Sequence, residues 1–223
     1  MKIVFTSAGS PKAYTEILQK EGIKVAHVVS STKFAIKCEE AGVDAIVAEG
    51  FEAGGHNGRD ETTTFCLIPN VKNHISKPLI AAGGIALGSQ MKAAMILGAD
   101  GVQIGSRFAA TVEASAHNNW KNKIVDLNEG DTHLTLKELA PVRMVKNKFF
   151  HDLENLYETG RNAEALKETL GRARAKKGMF EGDLEEGELE IGQVSALIHE
   201  ILPVEKVFEN LLREFRASSV VDL

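Results

Sequence analysis

Gln103-Ile-Gly-Ser-Arg-Phe108 closes the last of five short apolar runs, and its reading decides the fold. A buried strand that ends in Gly-Ser, with a short helix starting near Ser106, forms a phosphate cradle of the kind found after the final strands of (β/α)8 barrels. Working back along the chain, Lys2 to Thr6, Lys24 to Val29, Ala45 to Ala48, Pro78 to Ala82 and then Gly101 to Ile104 are rich in Val and Ile. Each has the length and composition of a buried parallel strand. Helical patterns fill the gaps at Pro11 to Glu21, Thr32 to Ala41, Thr63 to Ile75 and Ser89 to Leu97, which makes a βαβ series. Ala41-Gly-Val-Asp44 and Gly98-Ala-Asp-Gly101 show how helices stop in this series, with a glycine as left-handed cap before the next strand. An open doubly wound sheet is compatible with the pattern. Polar residues gather after successive strands, however, which is where a barrel assembles its site. The expected fold class is α/β, a partial TIM-type (β/α)8 barrel with a helical C-terminal insertion, because five strands cannot close the barrel.

From Phe108 onward the strand signal disappears. Helical patterns at Glu113 to Val125, Lys137 to Tyr157, Ala163 to Lys176 and Gln193 to Phe215 predict a mostly helical second half. Gly178 to Gly192, acidic and punctuated by glycine, reads as an exposed loop with a solvated charge run. Arg172, Arg174, Lys176 and Lys177 read as a solvated helix face, with contact to the phosphate of a nucleotide or carrier cofactor as the other use.

The composition bounds what such a chain can do. With 43% hydrophobic and 26% charged residues among 223, it can build a core, and disordered, collagen-like and coiled-coil readings fall away. A net charge of −5 and a sequence pI near 5.8 disfavour nucleic acid as a partner, which calls for a basic face. The longest apolar stretches, near Pro78 to Leu87 and Ala93 to Ile104, are broken by glycine or charge and are too short to span a bilayer. No secretory signal is read at the start. Cys38 and Cys66 are too few for a disulfide framework, and a reducing cytoplasm is the expected location.

The densest chemical signal is Ala48-Glu-Gly-Phe-Glu-Ala-Gly-Gly-His-Asn-Gly58, at the carboxyl end of a strand. Gly54 and Gly55 let the backbone come close to a flat or anionic ligand. His56 follows them, and an imidazole titrating near neutral pH moves protons at low cost. Alone, Gly-Gly-His is a flexible surface turn; here two further strand ends share its rim. Ala81-Ala-Gly-Gly-Ile85 and Gln103-Ile-Gly-Ser-Arg-Phe108 lie about twenty residues apart. The N–H groups of Gly83, Gly84, Gly105 and Ser106 can converge on one phosphate, aided by the positive end of the short helix. No Cys-x-x-Cys, His-Glu-x-x-His or acidic calcium loop occurs, so no metal is assigned. The other histidines, His27, His74, His117, His133, His151 and His199, lack a partner set and read as packing or surface residues.

Taken as a set these motifs resemble the nitronate monooxygenase (2-nitropropane dioxygenase) family and the similar flavin-type enoyl-acyl-carrier-protein reductases. The likeness runs through Lys2-Ile-Val-Phe-Thr-Ser-Ala-Gly-Ser-Pro11, Val28-Val-Ser-Ser31, the Gly-Gly-His loop, Ala81 to Ile85, Gly98 to Gln103 and Gly105 to Phe108. It continues in the tail at Glu181-Gly-Asp-Leu-Glu-Glu-Gly187 and Ile191-Gly-Gln-Val-Ser195. The resemblance implies a barrel holding FMN at its mouth. In it His56 is the catalytic acid/base, Gly54, Gly55, Gly83, Gly84, Gln103, Ile104, Gly105 and Ser106 lie on the flavin, Glu49 faces it, and Arg107 is structural. It further implies a division into residues 1–108 as FMN-binding barrel, 109–190 as helical substrate-covering insertion and 191–223 as helices packing back. In the family, three βα units precede the segment that looks like residues 1–10, so the chain is expected to carry the last five units, about two-thirds of such an enzyme. The implied reaction is oxidation of alkyl nitronates or nitroalkanes with dioxygen. The alternative is reduction of an enoyl thioester by NADPH through FMN. A rival from another class is an inactive remnant that binds a phosphorylated small molecule. A homodimer stays open, and neither nucleic acid nor membrane is expected as a partner.

Overall fold

Alternation along the strands sorts their side chains onto two faces. In the computed structural model, which describes residues 1–159 and 163–219, the parallel strands are β1 (Ile3–Thr6), β2 (Lys24–Val29) and β3 (Ala45–Glu49), followed after β4 (Gly55–His56) by β5 (Leu79–Ala82) and β6 (Gly101–Gln103). The sheet order is β1-β2-β3-β5-β6, all parallel, with Val47 opposite Val28 and Ile80. Val25, Val29, Ile46, Ala48, Leu79 and Ala81 join one apolar cluster with the helices behind the sheet. Ala26, Val47 and Ala82 form another with Val28, Ala45 and Ile80, small side chains suited to the inside of a tight curl. The sheet is a curled half-barrel, as expected.

The helices between the strands are α1 (Thr15–Lys20), α2 (Thr32–Glu40), α3 (Thr64–Lys72) and α4 (Gly88–Ile96). The two similar turns do similar work. Gly42 and Gly98 take φ of +79° and +111°. Asp44 then accepts from the Val25 N–H at 2.9 Å, and Asp100 from the Leu79 N–H at 2.8 Å. Each aspartate thereby satisfies the neighbouring strand and fixes where it starts.

The second half, expected to be mostly helical and without strands, also carries a sheet. After α5 (Ser106–Ala109) and α6 (Asn118–Asp126) come two strands, β7 (Thr132–Thr135) and β8 (Val142–Val145), which pair antiparallel and extend to β4 in the order β4-β8-β7. The helix expected over Lys137 to Tyr157 is therefore β8 followed by α7 (Lys148–Glu158). Pro141, with no N–H to give a helix, stands at the break. The helix expected over Ala163 to Lys176 divides into α8 (Ala163–Leu170) and α9 (Arg174–Met179), because Gly171 and Ala173 both take positive φ. The one expected over Gln193 to Phe215 divides into a 3-10 turn, Gln193–Leu197, and α10 (Val204–Ala217), with Pro203 at the start of α10. Of the expected C-terminal stretch 191–223, residues 220–223 lie outside the described residues.

The acidic run is not simply solvated. Its front half answers the basic cluster: Arg174 pairs with Glu186 at 3.0 Å, Lys176 with Glu181 at 3.3 Å and Lys177 with Asp183 at 3.1 Å. Its back half is buried, with Leu189 and Ile191 fully so and Glu188 at 7% exposure. Those two apolar residues pack with Trp120, Ile124, Val145 and Ile198 in a core that joins the tail to α6 and β8. Arg107 is structural as expected, its guanidinium donating to the Ala110 and Glu200 carbonyls. Among the described residues no helix is long and apolar enough to cross a membrane.

Candidate functional site

Parallel strands put their carboxyl ends on one rim, so Glu49, the Gly83-Gly84 turn and the Gly105-Ser106 turn are neighbours. They face a cavity of about 270 Å³ lined by Glu49, Gly54, Gly83, Gly84, Gln103, Gly105 and Ser106, with Glu52, Trp120, Met179, Glu190 and Val194 among the residues completing the wall. Of the residues singled out from the motifs, Gly55 and Ile104 are not on this wall. Gly55 lies against Glu190, and Ile104 packs on the barrel core. His56 opens instead into an adjoining cavity of about 660 Å³, whose walls come from Ser7 to Lys12, His27 to Ser30 and Asn57 to Gly58. Glu49 lines both cavities.

On the cavity wall, two glycines are required by close approach. A Cβ on Gly83, which takes φ +87°, would lie 2.6 Å from the Gly50 carbonyl oxygen, and one on Gly54 would lie 2.6 Å from the Gly192 nitrogen. Gly105 differs, because a Cβ there would meet no protein atom within 4 Å and φ is −92°. Its open side belongs to the cavity. Among the described residues, nothing accepts from the Gly84 or Gly105 N–H. The Trp120 indole N–H is likewise buried without a partner.

The loop between β3 and α3 is held from three sides. Glu52 accepts from the Thr64 backbone N–H at 2.9 Å and from its hydroxyl at 3.0 Å, which ties the loop to α3 beside the Gly83 carbonyl. Arg143 on β8 donates from Nε to the Phe51 carbonyl at 3.1 Å and lies 4.5 Å over the Phe51 ring. Asn57 donates from its side chain to the Ala53 carbonyl at 2.9 Å and from its backbone to the Pro141 carbonyl at 2.8 Å. His56 is thus presented from a short strand whose far side is the β7-β8 hairpin.

Electrostatics single out three carboxyls. Burial pushes Glu49 up to about 7, so that it exchanges its proton near neutrality. Glu188 is also raised to about 7, by burial and then by Glu190, with Arg174 opposing. Burial raises Glu190 too, while His56 pulls it back down; its Oε1 is 3.7 Å from His56 Nδ1. Glu52, Trp120, Glu190 and Gly192 were not singled out from the sequence. Glu52 lies inside the Gly-Gly-His motif, and the alternation Glu188-Leu-Glu-Ile191 is a signal of a segment with one buried face.

A curled parallel sheet with its polar cleft at the carboxyl ends of the strands defines an enzyme scaffold of the TIM-barrel class. Within that class the chain belongs to the nitronate monooxygenase family, whose pattern it matches over residues 1–214. It is 34% identical over 218 residues to a probable nitronate monooxygenase of Bacillus subtilis (strain 168), covering 94% of this chain and 62% of that protein. A second probable nitronate monooxygenase, from Staphylococcus saprophyticus, is 31% identical over 222 residues, with 95% and 62% covered. The chain therefore spans 62% of the length of these curated relatives. Among solved structures, FabK from Thermotoga maritima superposes with a TM-score of 0.90 at 41% identity, covering 96% of this chain and 68% of that one. Nitroalkane oxidase from Streptomyces ansochromogenes gives 0.79 at 28%, covering 97% and 64%.

Proposed function

We propose that this site serves an FMN-dependent oxidoreductase that oxidises small alkyl nitronates, or the nitroalkanes from which they form, with dioxygen. The observation that carries the reading is the position of Glu49, on the wall of both the glycine-lined cavity and the one holding His56. A ligand with an anionic end in the first and a reactive end toward the second joins the two.

The residues suit FMN. The free N–H groups of Gly84 and Gly105 and the absent Cβ at Gly105 leave room and donors for a phosphate, and the unpartnered Trp120 N–H adds a donor on the same wall. Bound there, FMN supplies the two-electron chemistry and the reaction with dioxygen. The protein's part is proton transfer and orientation. His56 takes the α-proton of a neutral nitroalkane, the electron pair staying on the substrate and spreading into the nitro group. Trp120, Met179 and Val194 put apolar surface on one side of the glycine-lined cavity, where a flat ring can lie. Glu49, titrating near 7, changes its charge at working pH without large cost.

The second reading, reduction of an enoyl thioester by NADPH through FMN, is favoured by the higher identity to FabK, 41%, than to nitroalkane oxidase, 28%. Anaerobic mixing of the purified flavin-loaded protein with ethyl nitronate and, separately, with NADPH tests both. Bleaching of the flavin by the nitronate alone is expected. Bleaching by NADPH alone would replace this reading with the second, and bleaching by neither would remove both.

A further inference from the structure

We infer that Glu190 is a positioning residue for His56, holding the imidazole by Nδ1 so that Nε2 faces the substrate as proton acceptor. The inference rests on the proposed proton-transfer role of His56 and adds to it the group that fixes the ring. Glu190 comes from a part of the chain remote in sequence, yet its Oε1 is 3.7 Å from His56 Nδ1. A movement of about 1 Å or less brings the pair to hydrogen-bond length.

The approach is built into the backbone on both sides. Gly55 takes φ +80°, and a Cβ there would stand 3.1 Å from Glu190 Oε2. The second glycine of the Gly-Gly-His loop therefore leaves room for this carboxylate. On the other side, Leu189 and Ile191 are fully buried, the Gly192 N–H donates to Ser106 Oγ at 3.1 Å, and the Gln193 N–H donates to the Glu52 carbonyl at 3.0 Å. Residues flanking Glu190 are pinned, which fixes its backbone within reach of the imidazole. His56 itself lies on the exposed side of β4 and needs such a partner to hold one orientation.

The chemistry follows from the two ring nitrogens. A neutral imidazole carries one N–H, and in water it sits mostly on Nε2, the atom that must be bare to accept a proton. A carboxylate accepting from Nδ1–H selects the other tautomer and frees Nε2. When the substrate C–H bond breaks, its electron pair stays on the substrate, the proton goes to Nε2, and the imidazolium charge forms beside the carboxylate. The charged groups around the pair are Glu188 on the same segment, Glu49 and Glu52 on the same cavity wall, and Arg143 on β8 opposite Gly55.

The test is ¹⁵N NMR of the flavin-loaded protein labelled at histidine, with the His56 signals assigned by their loss in His56→Asn. At alkaline pH, where Glu190 is ionised, the wild-type ring is expected to carry its proton on Nδ1. In Glu190→Leu it should revert to Nε2, and in Glu190→Asp it should stay largely on Nδ1. The kcat for a neutral nitroalkane should fall about tenfold or more in the leucine variant with KM little changed, and recover in part with aspartate. A wild-type imidazole protonated on Nε2 overturns the inference, and this measurement needs no variant to fold. A ring protonated on Nδ1 in a protein that turns over no nitroalkane upholds the pairing and rejects only the reaction assigned above.

Discussion

The hydroxyl of Ser106 accepts a 3.1 Å hydrogen bond from the backbone N–H of Gly192, across 86 residues of sequence. The turn that ends β6 is thereby tied to the segment that closes the cavity from the tail. Ser106→Ala leaves that N–H, which is partly buried, without an acceptor, at about 1–3 kcal/mol. Ser106→Thr keeps the oxygen and should cost less. Thermal unfolding of the two variants side by side checks this, and equal losses would mean that the hydroxyl does not hold the tail.

Gly83 and Gly105 should fail in opposite ways when each is changed to alanine. At Gly83 the left-handed backbone and the 2.6 Å approach of a Cβ to the Gly50 carbonyl make the change costly, about 2 kcal/mol or more. At Gly105 neither obstacle exists, and the new methyl enters the cavity. Stability is expected to stay within about 0.5 kcal/mol of wild type there, as for ordinary surface changes, while flavin retention on gel filtration drops. Normal flavin content in Gly105→Ala would place the phosphate elsewhere.

His56→Ala is expected to keep bound FMN and to slow turnover of a neutral nitroalkane by about a hundred- to ten-thousandfold, the usual contribution of a positioned general base. A preformed nitronate has already lost that proton, so its turnover should suffer far less. Steady-state rates on matched pairs of substrates decide the matter. Parallel losses would assign His56 to anion binding.

Glu188 carries a pH signature in stability. Its folded-state carboxyl is raised from 4.5 to about 7 by burial, so its favourable protonated state is fully present below about pH 4.5 and is lost as pH rises through 7. Glu188→Gln removes that loss. The variant should gain on wild type between pH 4.5 and 7.5, by up to about 3 kcal/mol for a shift of this size, read as a difference in denaturant midpoints at the two pH values. A constant difference would show that burial does not raise this carboxyl, which then titrates alike in the folded and unfolded chain.

The five strands of the barrel sheet were legible because apolar runs of strand length are followed by serine or glycine or close on a glutamate, and the Gly83 and Gly105 turns because two neighbouring strand ends carry glycine. The β7-β8 hairpin was not. Thr132-His-Leu-Thr135 and Val142-Arg-Met-Val145 are short, and the second is buried along its whole length, Arg143 included, so no period-2 pattern separates it from the α7 sequence that follows. Glu190 was hidden for a related reason. An acidic run reads as solvated, and it took the burial of Leu189 and Ile191 to turn one of its carboxylates inward toward a histidine 134 residues earlier.

The pairing of β4 with β8 bears on how relatives of this protein diverge. Gly55 and His56 find their partners in Arg143 and Val142, inside the segment expected to cover the substrate. That segment is not an interchangeable accessory. A chimera that grafts another relative's insertion onto this barrel would also import a new edge for the Gly-Gly-His strand, moving the imidazole along with the pocket it serves. Inherited changes of specificity are then expected as coordinated replacements on both sides of the β4-β8 seam, with single exchanges confined to side chains that never touch it.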